Sequence, residues 1–210
     1  DIRVHSGVAT VGREIVTNTA HRYNWVQLAG AIQHPEKNNI QDLSKATGDK
    51  IGIDDASVLL YPCDGYGNPE LLRDVIEREN IDALFLITDP RYFEWLFAME
   101  NEIRSSIPIA YLNIWDDLPA PMYNREFYDS CDALFGISKQ TKNINEMVLG
   151  EKRCKNKVIK YIPHGLDHKI FSPVNKFGEE YLKLKNSLEK DGKMDFKLLY
   201  NSRNIRRKSI

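Results

Sequence analysis

The sequence predicts an α/β protein with a doubly wound, mostly parallel sheet. Short apolar runs rich in β-branched and aromatic residues alternate several times with stretches of helical periodicity. One run, residues 81–88 (IDALFLIT), is apolar almost throughout, as in strands buried on both faces of a parallel sheet. Ligands bind such sheets beyond the carboxyl ends of the strands, so the residues that directly follow strands are the candidates for a functional site.

Composition is typical of a globular protein and favours no polyanionic partner. The 210 residues are 42% hydrophobic and 28% charged, with 29 basic and 30 acidic side chains. This balance gives no general attraction to nucleic acid or to an anionic membrane. Three widely spaced cysteines indicate reduced thiols in a cytoplasmic protein. The sequence has neither a signal peptide nor an apolar run of about 18 residues, so no transmembrane segment is expected.

The predicted strands follow one another along the whole chain, and helical patterns separate most of them. Strands are predicted at residues 24–32, 57–61, 81–88, 107–114, 133–137, 158–162 and 196–200. Residues 33–55 are polar and are interpreted as an irregular insertion, and 62–67 as a turn. Helices are predicted to start after Asn68, Asp89 and Ser138. The aromatic stripe that includes Tyr92 and Trp95 is interpreted as core packing.

A small loop, Ser6-Gly7-Val8, precedes the first helical pattern. A glycine at a strand-to-helix turn lets a phosphate approach the backbone N–H groups that begin the helix. Here the preceding strand is missing or reduced to residues 2–4. By itself, the glycine is equally compatible with a simple turn.

The stretch at residues 158–173 (VIKYIPHGLDHKIFSP) is expected to end one domain. Residues 158–162 are predicted to be a buried strand, which Pro163 ends because proline cannot donate to a sheet. The predicted organisation is a domain at 1–173, a helical linker at 174–195, and the first strand and loop of a mostly absent second domain at 196–210.

Three segments carry a resemblance to a known family. They are residues 131–138 (CDALFGIS), residues 162–167 (IPHGLD) followed by Phe171 and Pro173, and residues 196–209 (FKLLYNSRNIRRKS). In this order and spacing they resemble the GT-B glycosyltransferases, in particular the retaining family called glycosyl transferases group 1. The match is incomplete, because Asn201-Ser202 and Ser209 stand where the family usually has glycines.

The resemblance implies two Rossmann-like domains that face a cleft, and transfer of a sugar from a nucleotide-sugar donor to an acceptor hydroxyl with retention. The acceptor would lie on the first domain and the donor mainly on the second. The acceptor stays open between a glycan, a lipid, a protein and a modified DNA base. The resemblance implies no metal ion or other cofactor.

The expected donor site is built from positive charge and backbone N–H groups. Arg203 and Lys208 have the spacing of the family's basic pair, and they would hold the donor diphosphate. The backbone at Ser6, Gly7 and Val8 would add donors from the opposite wall of the cleft. The alternative is that the loop around Arg203 is a solvated basic loop.

Asp116 is the candidate catalytic residue. It follows the strand predicted at 107–114, and a carboxylate there could accept a proton from the acceptor hydroxyl. The family often has a His-Asp pair near this point, and Trp115 stands in the place of the histidine. The alternatives are an aspartate that only forms a turn, and a mechanism in which the departing phosphate takes the proton.

Two further alternatives remain open at this stage. The basic run Lys152, Arg153, Lys155 and Lys157 could dock an anionic acceptor, although a solvated face is favoured. The chain as a whole could be a non-catalytic module that binds a nucleotide or sugar, or half of a split protein.

Overall fold

The computed structural model describes residues 1–189, which fall into two compact units, Asp1–His164 and a second that begins at Gly165. The first unit is α/β, with a four-stranded all-parallel sheet flanked by helices. This architecture confirms the predicted class and is consistent with a Rossmann-like fold. The boundary after His164 precedes the predicted domain end at residue 173.

The regular elements are as follows. The strands are β1 Trp25–Ala31, β2 Gln41–Asp42, β3 Val58–Asp64, β4 Leu84–Ile87, β5 Ile109–Asn113, β6 Ala133–Gly136 and β7 Val158–Tyr161. The α-helices are α1 Gly7–Thr19, α2 Ser44–Ile51, α3 Pro69–Glu79, α4 Glu94–Phe97, α5 Glu100–Arg104, α6 Arg125–Asp129, α7 Lys139–Leu149, α8 Glu151–Cys154 and α9 Glu179–Leu188. Short 3-10 helices span Pro90–Phe93 and Met122–Asn124.

The strands of the first unit form two sheets. One has the order β4-β5-β6-β7 and is parallel throughout. The other has the order β1-β3-β2, with β1 parallel and β2 antiparallel to β3. Residues 2–4 form turns and bends instead of a strand. The rings of Trp25 in β1 and Phe85 in β4 meet edge to face at 6.3 Å, so aromatic packing joins the two sheets.

Helices α3 and α7 begin at the capping residues that the sequence predicts, and α1 begins at a cap that was not predicted. The Ser6 hydroxyl accepts from Ala9 N at the start of α1, although Ser6 was predicted as part of a loop only. The Asn68 side chain accepts from Leu71 N at the start of α3. Ser138 Oγ accepts from Thr141 N at the start of α7. Such a cap stabilises a helix by about 1 kcal/mol because it satisfies one of the orphan N–H groups.

The prediction of an irregular insertion at 33–55 is wrong, since this segment contains β2 and α2. Helix α2 ends at Gly52, whose φ of +75° is the left-handed conformation that stops a helix. Helix α2 was not recognised from sequence because it is largely exposed, and Gly48 is its one fully buried residue. Gly48 is needed there, since a Cβ would lie 2.4 Å from the carbonyl oxygen of Ile53.

Strand β3 continues through Pro62 to Asp64, so the turn predicted at 62–67 starts too early. Proline is tolerated because the backbone of this residue faces away from the neighbouring strand β1. The carbonyl of Pro62 accepts from Asn38 N on the side away from β1, and the pairing with β2 has already ended at Leu60. The missing N–H therefore breaks no hydrogen bond of the sheet.

The helix predicted after Asp89 is divided into a 3-10 turn, α4 and α5. Leu96 and Ile103 are buried in the core, as predicted for the stripe. Tyr92 does not follow this prediction, because its side chain is 52% exposed. The Tyr92 side chain is exposed because its ring stacks on Tyr66 outside the core, a tertiary contact.

The prediction that β7 is buried is also wrong. Val158 and Tyr161 are 51% and 42% exposed. Within residues 1–189, strand β7 pairs with β6 alone and therefore lies at the edge of its sheet. An apolar composition could not distinguish an edge strand from a central one.

The second unit is described up to residue 189 and contains α9, which lies within the predicted helical linker. The strand and phosphate loop predicted at 196–210, with Arg203 and Lys208, lie outside the described residues. Among the helices of residues 1–189, none combines the length and the apolarity required to cross a membrane.

Candidate functional site

The candidate site lies at the carboxyl edge of the four-stranded sheet. Because the strands are parallel, the segments that leave β4, β5 and β6 come together at this edge. They contribute Asp89 after β4, Trp115 and Asp116 after β5, and Ser138 after β6. All four were already candidates from sequence because each follows a strand, and Ser138 is engaged in capping α7.

A buried polar network holds the exit of β5. Asn113 is 1% exposed, and its amide nitrogen donates to Asn145 Oδ1 at 2.6 Å and to the Tyr128 hydroxyl at 2.9 Å. Its amide oxygen accepts from Trp115 N at 3.0 Å and lies 3.3 Å from the Tyr111 hydroxyl oxygen. Helices α6 and α7 therefore determine the direction in which the chain leaves the strand. Asn113 could not be recognised from sequence, because a lone asparagine has no recognisable pattern.

The segment that leaves β4 contains a strained residue, Thr88, and an ion pair between Asp89 and Arg91. Thr88 has a φ of +94°, a conformation that β-branched residues rarely adopt, and its carbonyl accepts from the Tyr111 hydroxyl at 2.6 Å. Asp89 accepts from Arg91 Nε at 2.9 Å and from Nη2 at 2.5 Å. This bidentate contact with Arg91 lowers the pKa of Asp89, so the carboxylate stays charged at neutral pH.

Asp116 is exposed, and its carboxylate has no hydrogen-bond partner within residues 1–189. Only its backbone is held, through the carbonyl that accepts from Gln140 Nε2 at 3.2 Å. The turn is made by its neighbour, since Asp117 Oδ1 accepts from Leu118 N at 2.8 Å and its carbonyl accepts from Trp115 Nε1 at 3.0 Å. The carboxylate of Asp116 is therefore free to meet a ligand.

The start of α1 presents two exposed backbone donors. Ser6 satisfies Ala9 N, whereas the N–H groups of Gly7 and Val8 meet no acceptor in the part of the chain that the structure describes. The segment before α1 is tied to the segment after β1, because Asp1 Oδ2 lies 3.1 Å from His34 Nε2. How Gly7 and Val8 lie relative to Arg203 and Lys208 falls outside the described residues.

A group of aromatic side chains at this edge was not predicted. We call it the aromatic platform, and it comprises Tyr66, Tyr92, Phe93, Trp115 and Tyr123. They come from the loop after β3, the segment after β4 and the segment after β5. The grouping was not predicted because its members lie far apart in the sequence, although Tyr66 and Trp115 each stand two residues after a strand, which is the signal that could have found part of it.

A cavity of about 790 Å³ lies at the opposite, amino-terminal edge of the same sheet. Its cations are largely paired with protein groups: Arg104 with Asp132 at 2.9 Å, Arg153 with Asp129 at 3.0 Å, and Lys157 Nζ with the carbonyl of Cys131 at 2.8 Å. Paired cations favour the solvated-face interpretation of the basic run, because little positive charge is left for an anionic ligand. No group of three metal-ligating side chains occurs within residues 1–189.

These features define the first unit as a Rossmann-like α/β unit with open polar and aromatic groups at the carboxyl edge of its sheet. Comparison with known proteins found no match among family models, curated proteins or solved structures.

Proposed function

We propose that the first unit is the acceptor-side domain of a GT-B glycosyltransferase, and that the protein transfers a sugar from a nucleotide-sugar donor to an acceptor hydroxyl with retention. The observation that carries this proposal is the order of the three family-like segments in the sequence. Its support from the fold is limited to two segments. Residues 131–138 span β6 and the cap of α7, and residues 162–167 follow β7, as the resemblance implies for a strand-to-helix unit and an exit segment.

The chemistry requires positive charge and donors around a leaving diphosphate. Arg203 and Lys208 would supply the charge, and the exposed N–H groups of Gly7 and Val8 would supply donors from the first unit. Asp116, with its free carboxylate, would orient or deprotonate the acceptor hydroxyl.

The direct test is to incubate the protein with a panel of nucleotide sugars and to measure release of nucleoside diphosphate. We expect release from at least one donor, and its loss in the double variant Arg203→Ala/Lys208→Ala with an unchanged circular dichroism spectrum. Turnover that survives the double variant would contradict the proposal. Donor binding without any release would instead favour a non-catalytic binding module.

Gly7→Ala tests the first unit's share of the donor site. An added Cβ at Gly7 meets no atom within 4 Å, and alanine is favoured over glycine in a helix, so the fold should be retained. If the diphosphate approaches the backbone here, the methyl group should raise the KM for the donor by about fivefold or more, equivalent to about 1 kcal/mol.

The matched control is Asn18→Ala, an exposed residue near the other end of α1. Its donor KM should stay at the wild-type value. A Gly7→Ala variant with unchanged donor kinetics would remove residues 6–8 from the proposed site without affecting the rest of the assignment.

A further inference from the structure

The aromatic platform has two halves, one made of Tyr66, Tyr92 and Phe93 and the other of Trp115 and Tyr123, and three of its five rings are exposed. Tyr66, Tyr92 and Tyr123 are 44%, 52% and 63% exposed. Tyr66 and Tyr92 stack at 4.5 Å with an interplanar angle of 7°. Contiguous exposed aromatic surface is uncommon on a protein that does not use it, and it marks a site of interaction.

Contacts with partly buried rings fix the exposed rings of the platform in place. Phe93 and Trp115 are partly buried against the core, and they contact Tyr66 at 5.5 Å and Tyr123 at 6.1 Å, both edge to face. Arg91 joins the two halves, since its guanidinium carbon lies 5.9 Å from the centre of the Tyr123 ring. A rigid set of rings loses little conformational entropy when a ligand binds.

The charge around the platform excludes one class of ligand. Its three segments, residues 65–67, 88–94 and 114–123, carry four carboxylates and a single guanidinium. That guanidinium is already paired with Asp89. A polyanion such as nucleic acid needs unpaired cations on the protein, so this negative surface would repel it.

The same groups suit a neutral ligand rich in hydroxyl groups. Hydroxyl groups donate hydrogen bonds to carboxylates, and the Asp116 carboxylate is exposed and has no partner within residues 1–189. The outer faces of the tyrosine rings offer apolar, flat surface to the C–H face of a sugar ring, and the tyrosine hydroxyl groups add polar contacts.

We propose that the aromatic platform and Asp116 bind a neutral glycan, whose sugar rings stack on Tyr92 and Tyr123 while a hydroxyl group donates to Asp116. As the identity of the acceptor, this inference rests on the proposed function. As a glycan-binding surface, it stands on the platform alone.

The test begins with the protein on an array of neutral glycans, and continues with calorimetric titration of the best-retained oligosaccharide. We expect Tyr92→Ala and Tyr123→Ala each to weaken its binding at least tenfold, and Tyr92→Phe to keep most of the affinity because the ring remains. The matched control is Tyr23→Ala, since Tyr23 is 58% exposed but lies before the amino end of β1. This control should bind like wild type.

The inference is overturned if no neutral glycan is retained, if both alanine variants bind like wild type, or if the platform retains single-stranded nucleic acid or anionic vesicles instead. Its failure can be distinguished from failure of the proposed function. If diphosphate release requires a lipid or peptide acceptor and the rate is unchanged by Tyr92→Ala, the glycan inference alone is contradicted. If glycan binding depends on the platform but no donor releases diphosphate, the proposed transferase activity alone is contradicted.

Discussion

Replacing Asn113 with leucine is expected to destabilise the first unit by about 3 to 5 kcal/mol. The leucine has a similar size but removes the amide, which is 1% exposed, and leaves its hydrogen-bond partners in place. Asn145 Oδ1 and Trp115 N would each lose the hydrogen bond they now make inside the protein. A buried polar group without a partner costs about 1 to 3 kcal/mol, so two or three of them account for the expected loss.

The measurement is the free energy of unfolding in urea, followed by tryptophan fluorescence. Helix α7 provides a matched control, because Asn143 is exposed two residues before the buried Asn145. Asn143→Leu should change the free energy of unfolding by less than about 0.5 kcal/mol. A loss below 1 kcal/mol for Asn113→Leu would show that the network does not hold the exit of β5.

Gly30→Ala is expected to be as damaging, for a steric reason. A Cβ at Gly30 in β1 would lie 2.1 Å from the carbonyl oxygen of Gly65, far inside van der Waals contact. That oxygen belongs to backbone that cannot easily retreat, since Gly65 N donates to the carbonyl of Ala31 at 2.6 Å. Relieving the overlap means moving the loop that carries Tyr66. We expect a loss of about 4 kcal/mol or more, at the upper end of single substitutions.

Thermal unfolding and hydrogen exchange in β1 and β3 would measure this effect. Gly7→Ala is the matched control, because the same change of side chain there meets no atom within 4 Å. It should leave the melting temperature unchanged or slightly higher. A Gly30→Ala variant as stable as wild type would mean that the contact between β1 and the loop after β3 can relax at little cost.

Local chemistry made much of the fold predictable. Ser138 and Asn68 begin helices because their side chains satisfy N–H groups within three residues, a relation contained in a short stretch of sequence. The parallel sheet was predictable in the same way, since apolar runs alternate with helical patterns. The same alternation marked the residues that follow strands as candidates for a functional site, and Asp116 and Trp115 do lie at the carboxyl edge.

Contacts between residues far apart in the sequence were not predictable. Asn113 is buried because Asn145 and Tyr128 reach it from two helices, and nothing in its own neighbourhood of sequence indicates this. Tyr92 fits the periodicity of a core stripe, yet its ring leaves the core to stack on Tyr66.

The amino-acid order alone therefore specified the starts of α3 and α7, most of the runs that become strands and the class of fold they build, because capping and periodicity act over a few residues. Packing alone specifies that β7 is an exposed edge within residues 1–189, that Asn113 anchors the exit of β5, and that aromatic rings from three segments contact one another in two groups. The reason is that burial and ring contact depend on neighbours that lie close in space and far apart in the chain.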